Sequence, residues 1–362
     1  MNATTASGPE SSLAMTPKER MLAAISGQPL DRPPIWLMRQ AGRYLPEYQA
    51  VKAEHSFHDL CRLPEVSAEV TLQPYRRYGM DALIVFNDIL IPLETLGFSV
   101  EYGGGGPVVS PAIRSEADWK ALHPREYDEA PPVVASLHEI QRQAGPDIPV
   151  LGFAGSPFTL ATYMIEGSTT RNLRYIKTLM TDQPQLLHSM LEQITQSVIG
   201  YLRLQAQAGV VAVQIFDTWA GALSLHDYRQ FALPYQQKII DAIQGEGTPV
   251  ILYVKQSAHV LAELAESDAA VLSIDWLTPL ATARENVQPS QALQGNLDPS
   301  VLYASPEAVA QRTRDMLAGL PGKQGYIANL GHGILPETPV ESVNAFVETV
   351  KNYDYDSIDA TD

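Results

Sequence analysis

Eight short apolar runs recur along the chain: "PIWLM" (34–38), "ALIVF" (82–86), "PVLGF" (149–153), "VAVQIF" (211–216), "PVILYV" (249–254), "VLSID" (271–275), "QALQG" (291–295) and "YIANL" (326–330). Each is β-branched or aromatic in part and lies close to Pro, Gly or Asp, the mark of strands buried on both faces of a parallel sheet. Helical spacing fills the intervals, as in "EVSAEVTLQPYRRYG", "QLLHSMLEQITQSVIGYLRLQAQAG" and "SAHVLAELAES", the second closing on Gly209 as a C-cap. This alternation predicts an α/β fold, a single (β/α)8 TIM-type barrel, with a doubly wound open sheet as the structural alternative. "VEYGGGGPVVSPAIRSEADW" after the second run reads as an inserted hairpin or loop, and its glycines lack the Lys-Ser/Thr of a phosphate loop. With no internal repeat or linker, we expect one domain over 15–350, a disordered segment over 1–14 and an acidic tail over 351–362.

Composition narrows the partners. The 362 residues are 45% hydrophobic, enough for one large core. A net charge of −16 argues against nucleic acid and against anionic lipid, both of which demand a basic face. It leaves room for an anionic small ligand, because solvent screens surface acids beyond about 8–10 Å. Cys61 is the only cysteine, which rules out an intramolecular disulfide and a thiolate-rich zinc site. No apolar run approaches the roughly 20 residues of a membrane span. The start of the chain lacks a signal core or transit pattern.

In a barrel, the residues that do chemistry follow the C-terminal ends of the strands. Reading there gives Arg39, Gln40 and Arg43, then Asn87 and Asp88, Ser156 and Tyr163, Asp217 and Thr218, Lys255, Asp275 and Trp276, Asn296 and Asp298, and His332 in "GHG". Arg39 and Arg43 flank a small Ala41-Gly42 step and can turn both guanidiniums into one space, a clamp for a carboxylated ligand. The plain alternative is an exposed ion pair, for instance to Glu47, and the residues alone leave both open. Asp88 has a capping alternative, Tyr163 a core alternative and Thr218 a capping one. Lys255 has the look of a Schiff-base lysine, but an ion pair to a strand-end acid such as Asp275 is the favoured expectation. His138 and His226 read as surface groups.

Two long segments, "PPIWLMRQAGRYLPEY" (33–48) and "GFAGSPFTLATYMIEG" (152–167), resemble signature segments of the uroporphyrinogen decarboxylase family. "FNDIL", "FDTWAG", "LQGNLDP" and "YIANLGHG" follow in that family's order, and the resemblance covers roughly residues 15–350. It implies a cytoplasmic, homodimeric, cofactor-free (β/α)8 enzyme of haem and chlorophyll biosynthesis. Its small-molecule substrate would be uroporphyrinogen III, whose four acetate side chains become methyls, giving coproporphyrinogen III. Carried onto this chain, the substrate contacts are the segment Arg39, Gln40, Ala41, Gly42 and Arg43 together with Asp88, Tyr163, Thr218 and His332. Arg39, Arg43, Asp88, Tyr163 and His332 form the implied catalytic set, with no metal. Lys52 stands where relatives often carry arginine and joins the expected contacts. Some relatives carry Ser at Thr218 and His at Trp219.

The chemistry is consistent with that implication. Loss of CO2 leaves a carbanion, and a protonated pyrrole, as a cationic iminium, is its own electron sink. An ionised Asp88 would face that cation, and the arginines would hold carboxylates. The proton donor is open among Arg39, an Asp88 of raised pKa and a substrate-bound water. Three rivals stand beside this reading: a cobalamin or thiol-linked methyltransferase that activates a thiol with zinc, disfavoured by the single cysteine; a Schiff-base lyase on Lys255; and a non-catalytic tetrapyrrole carrier.

Overall fold

A computed structural model describes residues 14–103, 106–123, 131–170, 172–320 and 322–355. Among these, nine strands form in chain order. They are β1 (Leu83–Ile84), β2 (Ser99–Gly103), β3 (Gly106–Ser110), β4 (Val150–Gly155), β5 (Ala212–Asp217), β6 (Val250–Val254), β7 (Val271–Ser273), β8 (Ala292–Leu297) and β9 (Tyr326–Leu330). Seven of them build one sheet in the order β1-β4-β5-β6-β7-β8-β9, every pair parallel. β2 and β3 form a separate antiparallel hairpin within the glycine-rich stretch after β1. The apolar runs from the second to the eighth thus become sheet strands, with helices between them, as βαβ units require.

The first run is the exception. Residues 34–38 make only one isolated bridge, Ile35 to Ala328 on β9. Pro33 and Pro34 have no N–H to give a ladder. Three of the four N–H groups that follow are taken by side chains: Ile35 by Asp81 Oδ2 (2.9 Å), Leu37 by Gln40 Oε1 (2.9 Å) and Met38 by Asn329 Oδ1 (3.0 Å). The segment still spans the sheet's two edges. Ala328 N–H donates to Pro34 O (2.9 Å) and Trp36 N–H to Ala328 O (3.3 Å), while Asp81 N–H, next to β1, donates to Ile35 O (2.7 Å). The sheet is therefore curled, with both edges meeting one stretch of chain.

Inside the curl, Ala82, Leu151, Ala212, Ile251, Val271, Ala292 and Ile327 pack with Trp36 and with Met21, Ala24 and Ile25 of the helix Pro17–Ile25. That helix starts from a Thr16–Glu19 capping box and covers the N-terminal strand ends. Next along the strands lies a buried polar layer. Trp36 Nε1–H donates to Gln294 Oε1 (2.9 Å), and Gln294 Nε2–H donates to Ser273 Oγ (2.9 Å) and Gln214 Oε1 (3.0 Å). Period-two alternation aims these residues inward, while Val213, Ile215, Leu252 and Leu293 face the outer helices.

A charged knot ties the N-terminal end. Asp81 accepts from Arg20 Nη1 (2.7 Å) and Arg32 Nη1 (2.6 Å), and Arg20 also bonds Asp31 (2.7 Å from Nε). The long helix Pro184–Gln207 is capped by Ala208, so Gly209, expected as the cap, lies one residue beyond it at φ 88°, where a left-handed residue closes the turn. The expected acidic tail begins packed: after the helix Val340–Lys351, Tyr355 is buried and its hydroxyl donates to Val350 O (3.0 Å). The remainder of that tail, and the segment expected to be disordered apart from Ala14, lie outside the described residues.

Candidate active site

The C-terminal ends of the strands bring together the first run, β1, β6 and β9. Arg39 follows Met38 in the left-handed region at φ 61°, a conformation disfavoured for a residue with a Cβ. Its aliphatic stem crosses Gly333, where an added Cβ would lie 2.8 Å from Arg39 Cγ. The "GHG" glycine is therefore the floor on which the arginine rests. From there the guanidinium's charge acts on Asp88, His332 and Tyr253.

Asp88 follows β1 in a turn. Its N–H donates to Asn87 Oδ1 (2.8 Å), its Oδ1 accepts from Leu90 N–H (2.7 Å), and Asn87 Nδ2–H donates to Tyr201 Oη (3.0 Å). Burial raises the Asp88 pKa, and Glu94 pushes the same way. The Leu90 N–H, the Tyr102 hydroxyl and Arg39 oppose them without winning. Tyr102, on β2, was not among the expected residues. Its ring meets Phe57 at 4.4 Å, and the hairpin carries it over Asp88. Glu94 itself is paired with Arg62.

His332 is partly buried beside Tyr253, the two rings stacked at 5.8 Å and 12° with His332 Nδ1 2.9 Å from Tyr253 Oη. Burial first, then Arg39 and Lys255, hold its pKa down at about 3. The imidazole is neutral throughout the physiological range.

Tyr163 projects from the helix Pro157–Glu166 and meets Trp219 edge-on at 6.3 Å. Thr218 and Trp219 follow β5 and are each partly buried. Their turn hangs on Asp217, whose carboxylate accepts from Thr159 Oγ1 (2.7 Å), Gln236 Nε2 (2.8 Å) and Ala220 N–H (3.1 Å). Asn296, likewise, donates to the carbonyls of Asp275 (3.0 Å) and Thr278 (2.6 Å), and Asp298 caps Ser300 N–H (2.8 Å). These strand-end polar residues hold loops.

Not every expected residue joins the group. Gln40 is fully buried; besides the Leu37 N–H, its amide bonds Ala82 O (3.1 Å), so its side chain lies in the wall. Ala41 is buried, and Gly42 sits where a Cβ would approach Arg39 O at 3.2 Å. Arg43 is exposed and free of Glu47, which pairs instead with Arg77 (2.6 and 2.8 Å). Lys52 is exposed in the last turn of the helix Pro46–Glu54. The expected Lys255–Asp275 ion pair does not form within 4 Å. Gln256 takes a left-handed φ of 59°, which turns its N–H onto Asp275, and Leu277 N–H donates to the same carboxylate (3.0 Å). Burial raises the Asp275 pKa despite the charge of Lys255. Among the described residues, no three His, Cys, Asp or Glu side chains gather as a metal-ligand set, and no helix is long and apolar enough to cross a membrane.

Comparison with known proteins supplies the rest. The family model described as Uroporphyrinogen decarboxylase (URO-D) matches residues 16–353. A protein of Cellvibrio japonicus named uroporphyrinogen decarboxylase is 45% identical over 347 residues, 93% of this chain and 97% of the relative. One of the same name from Myxococcus xanthus is 44% identical, covering 92% and 96%. Among solved structures, a methyltransferase from Methanosarcina mazei aligns with a TM-score of 0.76 at 21% identity, over 93% of this chain and 98% of that one. A B12-independent methionine synthase from Shewanella sp. W3-18-1 aligns with a TM-score of 0.55 at 12% identity, over 87% and 92%. At those identities the structures share the fold alone.

Proposed function

The chain belongs to the uroporphyrinogen decarboxylase family, and from that premise we propose that it converts the four acetate side chains of uroporphyrinogen III to methyls, giving coproporphyrinogen III. The observation that supports the reading at this site is that the charge of Arg39, laid across Gly333, reaches Asp88, the acid held by the turn after β1.

Arg39 holds a substrate carboxylate, which a guanidinium binds through two parallel N–H donors, and Arg43, exposed outside the group, would reach a second only from its rim. A proton added to the α-carbon of a pyrrole makes an iminium conjugated with the β-carbon that bears the acetate. The bond to the carboxylate then breaks, CO2 leaves, and its electron pair neutralises the iminium. The exocyclic methylene takes a proton to become methyl, and the ring proton departs. The pyrrole is the electron sink, so the chemistry asks for no cofactor. Asp88, whose pKa burial raises, gives the first proton and then faces, as a carboxylate, the cation it has made. The fixed fork of N–H donors on a guanidinium suits it to carboxylates, which makes Arg39 an anchor. Tyr163, Thr218 and His332 orient the ring system.

The reading extends to form. We take residues 34–38 as the eighth stave of a (β/α)8 barrel over 15–350, the β2–β3 hairpin as an insertion that shields Asp88, and the working state as a homodimer in the cytoplasm. The test is anaerobic incubation of purified protein with uroporphyrinogen III and no additive, followed by oxidation and separation by carboxyl number. A ladder from eight carboxyls down to four is expected. Binding without a ladder would replace the enzyme with a carrier.

A further inference from the structure

Tyr253 lies inside an apolar run and is fully buried, yet its hydroxyl has two partners at the cleft. It is 3.0 Å from Gly331 O and 2.9 Å from His332 Nδ1. A phenol carries one proton, so it can donate to only one of them. Gly331 O is a buried acceptor, and among the described residues no other donor reaches it. If the phenol donated to Nδ1, that carbonyl would be left without a donor and would face a phenol lone pair at 3.0 Å. If the phenol donates to Gly331 O, Nδ1 carries the hydrogen and donates it to Oη, and all three groups are satisfied. Burial and the charges of Arg39 and Lys255 keep the His332 ring neutral, so one of its nitrogens bears a lone pair. The second nitrogen, Nε2, has no partner among the described residues and is not among the sealed, unpaired polar atoms.

We infer that Tyr253 is a positioning residue that holds His332 as the Nδ1–H tautomer, so that Nε2 offers a lone pair to the cleft. A lone pair there repels a carboxylate and accepts an N–H. The ligand group it takes is accordingly a pyrrole N–H, not an acetate or propionate side chain. That last step rests on the decarboxylase reading, whereas the tautomer does not.

The test uses the full chain labelled with 15N in its eight histidines. A two-bond proton–nitrogen correlation spectrum separates protonated from bare ring nitrogens, and His332 is the signal set lost in His332→Gln. A protonated Nδ1 and a bare Nε2 are expected; the reverse pattern overturns the inference. Anaerobic addition of coproporphyrinogen should move Nε2 towards a hydrogen-bonded acceptor, and conversion to Nε2–H would remove the acceptor role. Tyr253→Phe should abolish the single-tautomer pattern and raise KM for uroporphyrinogen about five- to tenfold, one neutral hydrogen bond's worth, with kcat changed much less. An unaltered spectrum and KM in that variant would show that Tyr253 positions nothing. Absence of turnover by the unsubstituted chain would sink the decarboxylase reading, while the spectrum would still decide the tautomer.

Discussion

Asp88 is held in the folded chain in a setting that penalises its charge. Its pKa is raised on folding, so the ionised form is less favourable folded than unfolded, and it costs stability at pH values above that raised pKa. Asp88→Asn removes the charge and keeps an oxygen for the Leu90 N–H. We expect turnover to fall by at least about 100-fold, the scale of losing a general acid, while the thermal midpoint at pH 7 stays or rises. An assay beside a melting curve decides it. As the donor, Asp88 must be protonated, so kcat should fall as pH rises through its raised pKa; a fall on the acid side instead would make it a purely electrostatic partner. His332 works with the opposite sign. Its pKa drops from 6.5 to about 3 on folding, so the unfolded chain takes up a proton that the folded chain refuses. Stability present above pH 6.5 should be lost as pH falls towards 3, and His332→Gln should flatten that slope in denaturant titrations at stepped pH.

Among elements, the weight falls on the junction of the first apolar run with β1. Asp81 is 2% exposed and serves Arg20, Arg32 and the Ile35 N–H together. Removing it leaves Arg32 without its acid, Arg20 with Asp31 alone and the Ile35 N–H without an acceptor, so Asp81→Ala should cost about 3 kcal/mol, read as a lowered denaturant midpoint. This junction also marks the limit of what the sequence could reveal. β6 was legible because a run buried on both faces is apolar at every position, and β9 because it departs from that only at Asn329. The run over 34–38 looked the same, but its N–H partners are Asp81 and Asn329, distant side chains that no local pattern announces. Lys255 and Asp275 suggested a pair because charge is visible in a sequence, whereas the competing backbone N–H of Gln256 is not. Arg39, Asp88 and His332 were readable from strand-end position and resemblance. Tyr102 and Tyr253 were not, one lying in a hairpin and the other hidden as an aromatic within an apolar strand.

At the scale of the molecule, a chain of net charge −16 takes a polyanionic substrate. The conflict is local in its resolution: ions screen distant acids within about 8 Å, while Arg39 and Lys255 act at the cleft itself. The homodimer reading is checked by sedimentation, with a mass twice the 39.6 kDa of one chain expected. The stretch that joins β9 to β1 has a further consequence. Seven strands are laced by a continuous backbone ladder, but this seam has only a few backbone bonds, helped by the Asp81 and Asn329 side chains, and Arg39 follows at its end. Local opening is cheapest where backbone pairing is thinnest. A ligand gripped by Arg39 would therefore act as a clasp, slowing amide exchange over residues 35–45 far more than over β5 or β6, and occupancy would govern how long the ring of strands stays shut.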